Sequence, residues 1–296
     1  MALRVLVAEW PGNQFFNLGF EEAFLRVFSG VAALRFWRND RVVVIGRHQC
    51  AALEVDALAL RREGVKLTRR FTGGGAVYHD LGNINYALVI RRGLSGVKSV
   101  VELFRLVGEA VALALESLGA RGAYYRALND IEIEGLKVSG LAGMTLPGKV
   151  FVHGALLVGS DLSILGRVLR VSREKLSDKR FVASRRKRVI TLEEAVGRKL
   201  ASEEIYRAIS DALAEKLGLS PASDSPSQEE LREALRLYRE KYSRTEWHLK
   251  YLGFIEDALT GEELEALKWA ASPDPGQEKI VEEIEKSLGR AKEHEG

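Results

Sequence analysis

ALNDIEIEGLKVSGLAG, residues 127–143, is the stretch that decides the fold. Two short runs of strand-forming residues, DIEIEG and LKVSGLAG, meet at Glu134-Gly135, the clearest turn signal in this region. Strands joined that tightly pair antiparallel, because a parallel pair needs a crossover of a dozen or more residues. RGAYYRA before the stretch and KVFVHGALLVG after it continue the series. A doubly wound parallel sheet therefore fits poorly. The expectation is an α+β fold of mixed, largely antiparallel sheets flanked by helices.

Upstream, strand and helix signals alternate. RVLVAEW reads as a strand, and NLGFEEAFLRVFS has Leu18, Ala23, Phe24 and Val27 at helical spacing. ALRFWR and RVVVIG are β-rich runs separated by Asn39-Asp40, read as a hairpin turn. Val55 to Arg62 reads as a helix closed by Gly64, VKLTRR and INYALVI as strands, and SVVELFRLVGEAVALALESLG as an amphipathic helix ended by Gly119. From Asp161 helical segments dominate: LSILGRVL, TLEEAVGR and SEEIYRAISDALAEKLG. SPASDSPSQ reads as a Ser/Pro-rich loop or linker. Gln228 to Lys241 reads as a helix with Ser227 as its N-cap. Beyond Trp247 the chain is charged and broken by Pro273 to Pro275. The organisation expected is one domain over residues 1–247 and a short helical C-terminal extension over 248–296.

The bulk properties exclude several classes. No apolar run approaches the ~20 residues that span a bilayer, so no membrane partner is expected. MALRVLVAEWPGN carries no signal-peptide pattern. The single cysteine, Cys50, excludes an internal disulfide framework and fits a cytoplasmic location. A net charge of +3 does not point to nucleic acid. The five histidines show no metal-ligand spacing, so no protein-bound metal site is expected.

Four stretches can carry chemistry. In RRFTGGGAVYHDLGN, residues 69–83, three consecutive glycines cost more backbone entropy than a plain turn requires. Bare amides in series form an anion cradle, and strand alternation sends Arg69 and Arg70 to opposite faces, so one of them can face a bound phosphate or carboxylate. No Lys-Ser/Thr follows the glycines, which excludes a Walker loop, and no helix begins there, which excludes a dinucleotide fingerprint. His79, Asp80 and Asn83 close behind the glycines favour a site over a hairpin tip. In the second stretch Asn129-Asp130 precedes Lys137, whose apolar neighbours Leu136 and Val138 suit a lysine held in a cleft; a lysine after a turn is ordinarily a solvated surface residue. In KVFVHGALLVG, His153 interrupts an apolar strand, where histidines are more often core groups than catalysts. In FWRNDRVVVIGRHQC, Trp37 is either a pocket wall or core, and Cys50 is expected to be a buried, inert thiol. RRKR, residues 185–188, reads as a solvated or phosphate-facing segment.

In chain order, FWRND…VVVIGRHQ, RRFTGGGAVYHDLGN, NDIEIEGLKVSGLAG, FVHGALL and KYSRTEW resemble the lipoate–protein ligase A family of the biotin/lipoate ligase superfamily. The resemblance covers roughly residues 1–247. It implies a two-step reaction: a lipoate carboxylate attacks the α-phosphate of ATP, giving lipoyl-AMP and pyrophosphate, and a lysine ε-amine of a lipoyl carrier domain then displaces AMP. Magnesium is implied as MgATP. Implied carriers are 2-oxoacid dehydrogenase acyltransferase subunits or proteins like the glycine cleavage H protein. By motif position, Arg70, Gly73, Gly74, Gly75, Ala76, Val77 and Tyr78 border the acyl-adenylate. Lys137 contacts its carbonyl and phosphate as the catalytic residue. Asn83, His79, Asp80 and Asp130 match other motif positions, His153 is a further binding candidate although the family often has a paired histidine where Val152-His153 stands, and Trp37 matches a position that closes the lipoate pocket. Many family members carry an additional C-terminal domain or a separate accessory subunit for adenylation; the residues after Trp247 look short for that domain, which implies a partner subunit for lipoate activation. Two related activities compete. An octanoyl or lipoyl transferase of this fold works without ATP, commonly through a cysteine nucleophile or a lysine-assisted direct attack, and Cys50 lies outside these segments, which argues against the cysteine route. Biotin–protein ligase usually carries a glycine-arginine-rich loop that does not stand here. The non-enzyme alternative is a carrier-binding pseudoenzyme, against which Arg70, the glycines and Lys137 argue.

Overall fold

The computed structural model describes residues 1–170 and 188–293. Strands β1 (Ala2–Val7), β2 (Ala32–Trp37), β3 (Val42–Ile45), β4 (Lys66–Arg69), β5 (Val77–His79), β6 (Asn83–Arg91), β7 (Ala123–Arg126), β8 (Asp130–Ile133), β9 (Leu136–Leu146), β10 (Lys149–Leu157) and β11 (Ser220–Asp224) form two sheets. The larger has the order β11-β1-β2-β6-β10-β9-β8-β7 and the smaller β4-β3-β5. Among the described strands, pairing is parallel at β1–β11, β1–β2 and β3–β4 and antiparallel elsewhere. The α+β reading with largely antiparallel sheets therefore holds.

The deciding turn behaves as its residues dictate. Glu134 and Gly135 have φ of 52° and 80°, the paired left-handed conformation of a two-residue hairpin. β9 and β10 pair from Lys149↔Leu146 to Leu156↔Ser139, and β10 continues the ladder onto β6.

Helices Val100–Ser117 and Ser202–Leu217 cover one face of the large sheet, where Leu88, Val107, Val111, Leu115, Ile209 and Leu213 form a buried cluster. Ser99 and Glu102 cap the first of these reciprocally, which fixes where it begins. Helices Gln14–Val27, Gln228–Leu237 and Pro275–Glu293 belong to a second cluster that includes Phe15, Phe20, Phe24, Leu237 and Val281. A third cluster surrounds the small sheet: Val43, Ile45, Leu60 and Leu67 pack with Leu249, Leu252, Leu267 and Ala270 from beyond Trp247. Burying a leucine side chain of this kind contributes ~1.5–3 kcal/mol. No described helix is long and apolar enough to cross a membrane.

Two expectations are corrected. Asn39-Asp40 does not close a hairpin. β2 lies between β1 and β6 in the large sheet, while β3 lies between β4 and β5 in the small one. Both strands are buried along their length and already have two partners, so the intervening residues carry the chain between sheets. Asn39 instead serves as a buried cross-link, accepting from Asn17 Nδ2 at 2.9 Å and facing His79 Nδ1 at 3.1 Å. SPASDSPSQ is not simply a linker either: Ser220–Asp224 is edge strand β11, in register with β1 from Ala2↔Ser220 to Leu6↔Asp224. An edge position tolerates Pro221, and ion pairs from Arg4 to Asp224 and Glu230 hold the segment down. The helix from Gln228 is α-helical to Leu237 and continues as a π-helical turn over Tyr238–Tyr242.

Candidate active site

The glycine stretch leaves β4 and enters β5, and Arg70 organises it. Its backbone N–H donates to Ile45 O, and its guanidinium donates to Val44 O (3.1 Å), Gly73 O (2.7 Å) and Gly75 O (2.8 Å). In a trans peptide the following N–H opposes the carbonyl. With the Gly73 and Gly75 carbonyls turned to Arg70, the N–H groups of Gly74 and Ala76 point away from it. Gly74 has φ +92°, and a Cβ there would stand 2.8 Å from Arg70 Nη2, so only glycine fits. Burial pulls Arg70 down to about 10, which leaves it a cation at neutral pH.

Lys137 reaches the same place from β9. The β8–β9 ladder shifts register between Ile131↔Ser139 and Glu132↔Lys137, which leaves Val138 as the extra residue of a bulge. Bulges re-aim neighbouring side chains. The Lys137 side chain is only 26% exposed and its Nζ lies 2.8 Å from Asp130 Oδ1. Burial and the Arg70 cation push its pKa below the usual lysine range. Its backbone is clamped as well: its N–H donates to Arg188 O and its carbonyl accepts from Ile190 N, both at 3.0 Å. The solvated-lysine reading is thus not what the structure shows.

These groups border one cavity of about 800 Å³ between the sheets. Arg70, Gly74, Gly75, Ala76, Val77, Tyr78, His79, Asp130, Lys137, Trp37 and His153 all line it. Gly73 and Asn83 do not: Gly73 contributes its carbonyl to Arg70, and the Asn83 amide donates to Leu156 O at 2.9 Å. Asp80 accepts from Gly82 N and Asp161 N, which closes the turn behind β5. Cys50 is buried, with Sγ 3.5 Å from Tyr251 O, and burial raises its pKa; it does not line the cavity. Of RRKR, Arg188 lines the cavity, while 185–187 lie outside the described residues.

His79 is buried, and burial together with Arg70 lowers its pKa to about 3. It is therefore neutral. Nδ1 faces the Asn39 amide donor, which assigns the proton to Nε2. His153 bridges Glu21 Oε1 (2.5 Å from Nδ1) and Thr72 Oγ1 (2.7 Å from Nε2). Glu21, on helix Gln14–Val27, was not anticipated. It is fully buried and lines the cavity. Its spacing gave a signal: Glu21 stands three residues from Leu18 and three from Phe24, on the core-facing stripe, where an acidic residue needs a reason.

Among the described residues, four that line the cavity carry a buried polar atom with no hydrogen-bond partner: Glu21 Oε2, Trp37 Nε1, Tyr78 Oη and His79 Nε2. Buried polar atoms are rarely left so, which suits a cavity built around a ligand. One part of the wall is apolar, with Leu18, Val44 and Trp37; another carries the cations Arg70 and Lys137. The arrangement suits an anion that carries an apolar tail.

Residues 13–214 match the family model of the lipoyl protein ligase A/B catalytic domain. The chain belongs to the lipoyl protein ligase A/B family. It is an enzyme of the lipoate–protein ligase class, and its sequence is 36% identical to lipoate-protein ligase A subunit 1 of Thermoplasma acidophilum, over 84% of this chain and 97% of that one. Solved structures of a T. acidophilum lipoate protein ligase superpose with TM-score 0.73. One is described as bi-partite, with its E2 lipoyl domain (35% identity, 84% of this chain and 96% of that). Another has bound lipoic acid (33% identity, 84% and 100%). A lipoate-protein ligase A bound with ATP matches at the same TM-score of 0.73, with 32% identity over 84% and 99%. The chain spans only 56% of a longer relative from Mycoplasma pneumoniae.

Proposed function

We propose that this chain is an ATP-dependent lipoate–protein ligase that forms lipoyl-AMP and passes the lipoyl group to a lysine of a lipoyl carrier domain. The observation that carries the reading is the meeting of Arg70, the glycine loop and Lys137 at one cavity with an apolar wall. A lipoate carboxylate oxygen bonds to the α-phosphorus and pyrophosphate leaves with the electrons of the P–O bond. The loop amides and Arg70 hold the remaining phosphate, while Leu18, Val44 and Trp37 hold the acyl chain. The carrier amine then bonds to the acyl carbon, AMP leaves with the C–O electron pair, and the amine gives up its proton. Lys137 stabilises charge on the carbonyl oxygen as that bond forms. A fixed ammonium in a partly dry site costs no reorganisation at that moment, and one such donor is worth ~2.7–4 kcal/mol of barrier.

Magnesium suits the adenylation step as the counter-ion of the nucleotide. Among the described residues no cluster of three or more His, Cys, Asp or Glu could hold a metal ion, so the phosphates would supply ligands that the protein does not. T. acidophilum divides its ligase, and the relative of this chain there is named subunit 1. By that likeness this chain needs an accessory subunit to activate lipoate but not to transfer from preformed lipoyl-AMP. The sites of action are carrier domains in the cytoplasm, which suits a chain with one buried thiol.

The test is mass spectrometry of a carrier domain incubated with this protein, ATP, magnesium and lipoate, with and without the candidate subunit, and separately with lipoyl-AMP. A mass increase by one lipoyl group from lipoyl-AMP, with ATP-driven modification only when the subunit is added, is expected. Absence of modification from lipoyl-AMP refutes the reading. Equal rates from both donors without the subunit refute the partner requirement. ATP–pyrophosphate exchange separates the ligase from a transferase that works without ATP.

A further inference from the structure

Arg69, the neighbour of Arg70, never reaches the cavity. It is fully buried at the end of β4. Every hydrogen bond its guanidinium donates ends on a backbone carbonyl. Nη1 reaches Gly46 O (3.0 Å), Arg47 O (3.2 Å) and Gln49 O (2.6 Å). Nε reaches Trp247 O (2.9 Å), and Nη2 reaches His248 O (2.7 Å). The Tyr251 ring lies 5.2 Å from its Cζ. Its backbone is held by the same distant segment: Arg69 N–H donates to His248 Nδ1 (3.1 Å), and Trp247 Nε1 donates to Arg69 O (2.8 Å).

The segment 46–49 in turn leans on the glycine loop. Arg47 N–H donates to Thr72 O at 2.8 Å. Gly46 approaches so closely that a Cβ on it would fall 2.1 Å from Gly74 O. A continuous path of contacts therefore runs from Trp247 and His248 through Arg69 to Gly46 and Arg47, and on to Thr72 and Gly74. Burial of a guanidinium among carbonyls is costly, and the planar fork is the one side chain that can satisfy several of them in fixed directions.

We propose that Arg69 is a positioning residue for the acyl-adenylate site, tying the chain at Trp247–His248 to the glycine loop and holding that loop in its binding conformation. The proposal rests on the assignment of the glycine loop to the acyl-adenylate. Arg69 touches no reacting atom, so its loss lowers the fraction of molecules whose loop is competent. Apparent affinity falls by that fraction, and saturation restores the rate.

The substitution Arg69→Lys keeps the charge but replaces the fork by one compact ammonium. Amide formation from lipoyl-AMP and a carrier domain is expected to show KM for lipoyl-AMP raised about tenfold, with kcat within roughly threefold of the parent. Hydrogen exchange of the unliganded proteins is measured alongside. Faster exchange is expected in peptides covering 46–49, 72–78 and 245–249, with β6, β10 and helix Val100–Ser117 unchanged. A uniform rise would mark Arg69 as general scaffold, and unchanged exchange at 72–78 would remove the coupling; either overturns the proposal. So does a lowered kcat with KM unchanged. If Arg69→Lys does not fold, Trp247→Phe removes one bond of the same tie and keeps the ring; exchange at 72–78 must then rise several-fold, and no change overturns the proposal. Exchange needs no substrate, so an inactive parent protein would defeat the ligase assignment and leave this coupling decided on its own data.

Discussion

Lys137 Nζ stands 2.8 Å from Asp130 Oδ1, and a Cβ built on Gly140 would sit 2.5 Å from that same nitrogen. The ammonium is therefore held by a carboxylate on β8 and by the space that residue 140 leaves open. Lys137→Ala should lower amide formation from lipoyl-AMP by about 10²–10³-fold, with the circular dichroism spectrum unchanged. Gly140→Ala should lower kcat in the same direction by moving the ammonium. Both are read by single-turnover assay, and activity near the parent level in either would remove Lys137 from its role.

The same pair sets a pH dependence. Burial and Arg70 already lower the Lys137 pKa, and in the role proposed for it the charged form is the active one. Activity is therefore lost as pH rises through that lowered value. Asp130→Asn removes the anion that favours the ammonium, so the alkaline limb should move to lower pH. Titration of the carrier lysine is common to both proteins and cancels in the comparison. A limb that stays in place would separate Asp130 from the charge on Lys137.

Two histidines contribute to acid stability. His79 and His248 are buried and neutral, each lowered from 6.5 to about 3, with burial as the leading cause. The unfolded chain takes up these protons first as pH falls. Stability is then complete above the ordinary histidine range and declines as pH drops from there toward the folded values. Thermal melts at intervals between about pH 7 and pH 4 should show Tm falling with pH, with a shallower slope for His79→Asn. An equal slope would show that this imidazole is not kept neutral by the fold.

Leu267, on helix Gly261–Ala270, is fully buried in the cluster around the small sheet. Leu267→Ala should cost ~2–5 kcal/mol, through lost burial and the cavity left behind. Urea denaturation measures it, and a loss well under that range would mean that this helix is not integral to the cluster.

Much of this was legible from local chemistry. Glu134-Gly135 announces its hairpin because the two-residue turn needs left-handed φ, and Ser227 and Gly64 mark helix ends through their caps. The triple glycine beside Arg70 reads as more than a plain turn, and at Gly74 the structure places Arg70 Nη2 where a Cβ would crowd it. What local chemistry could not reveal were relationships between distant segments. Asn39-Asp40 has the residues of a turn, but whether it reverses a strand or changes sheets depends on partners already claimed by β2 and β3. Glu21, His153 and Thr72 form one hydrogen-bonded chain although 132 positions separate the first two. Alternation along β4 separated Arg69 from Arg70, but only the fold shows that Arg69 turns to carbonyls and not to solvent.

Strand β11 has a further effect on how the molecule behaves in a crowd. An open sheet margin with an unbroken row of amide hydrogens invites another chain to add itself and seed insoluble assemblies. Pro221 removes one hydrogen from that row, and Asp224 places a carboxylate beside it. The stretch whose composition suggests a spacer thus terminates the sheet in a form that a second molecule cannot readily extend.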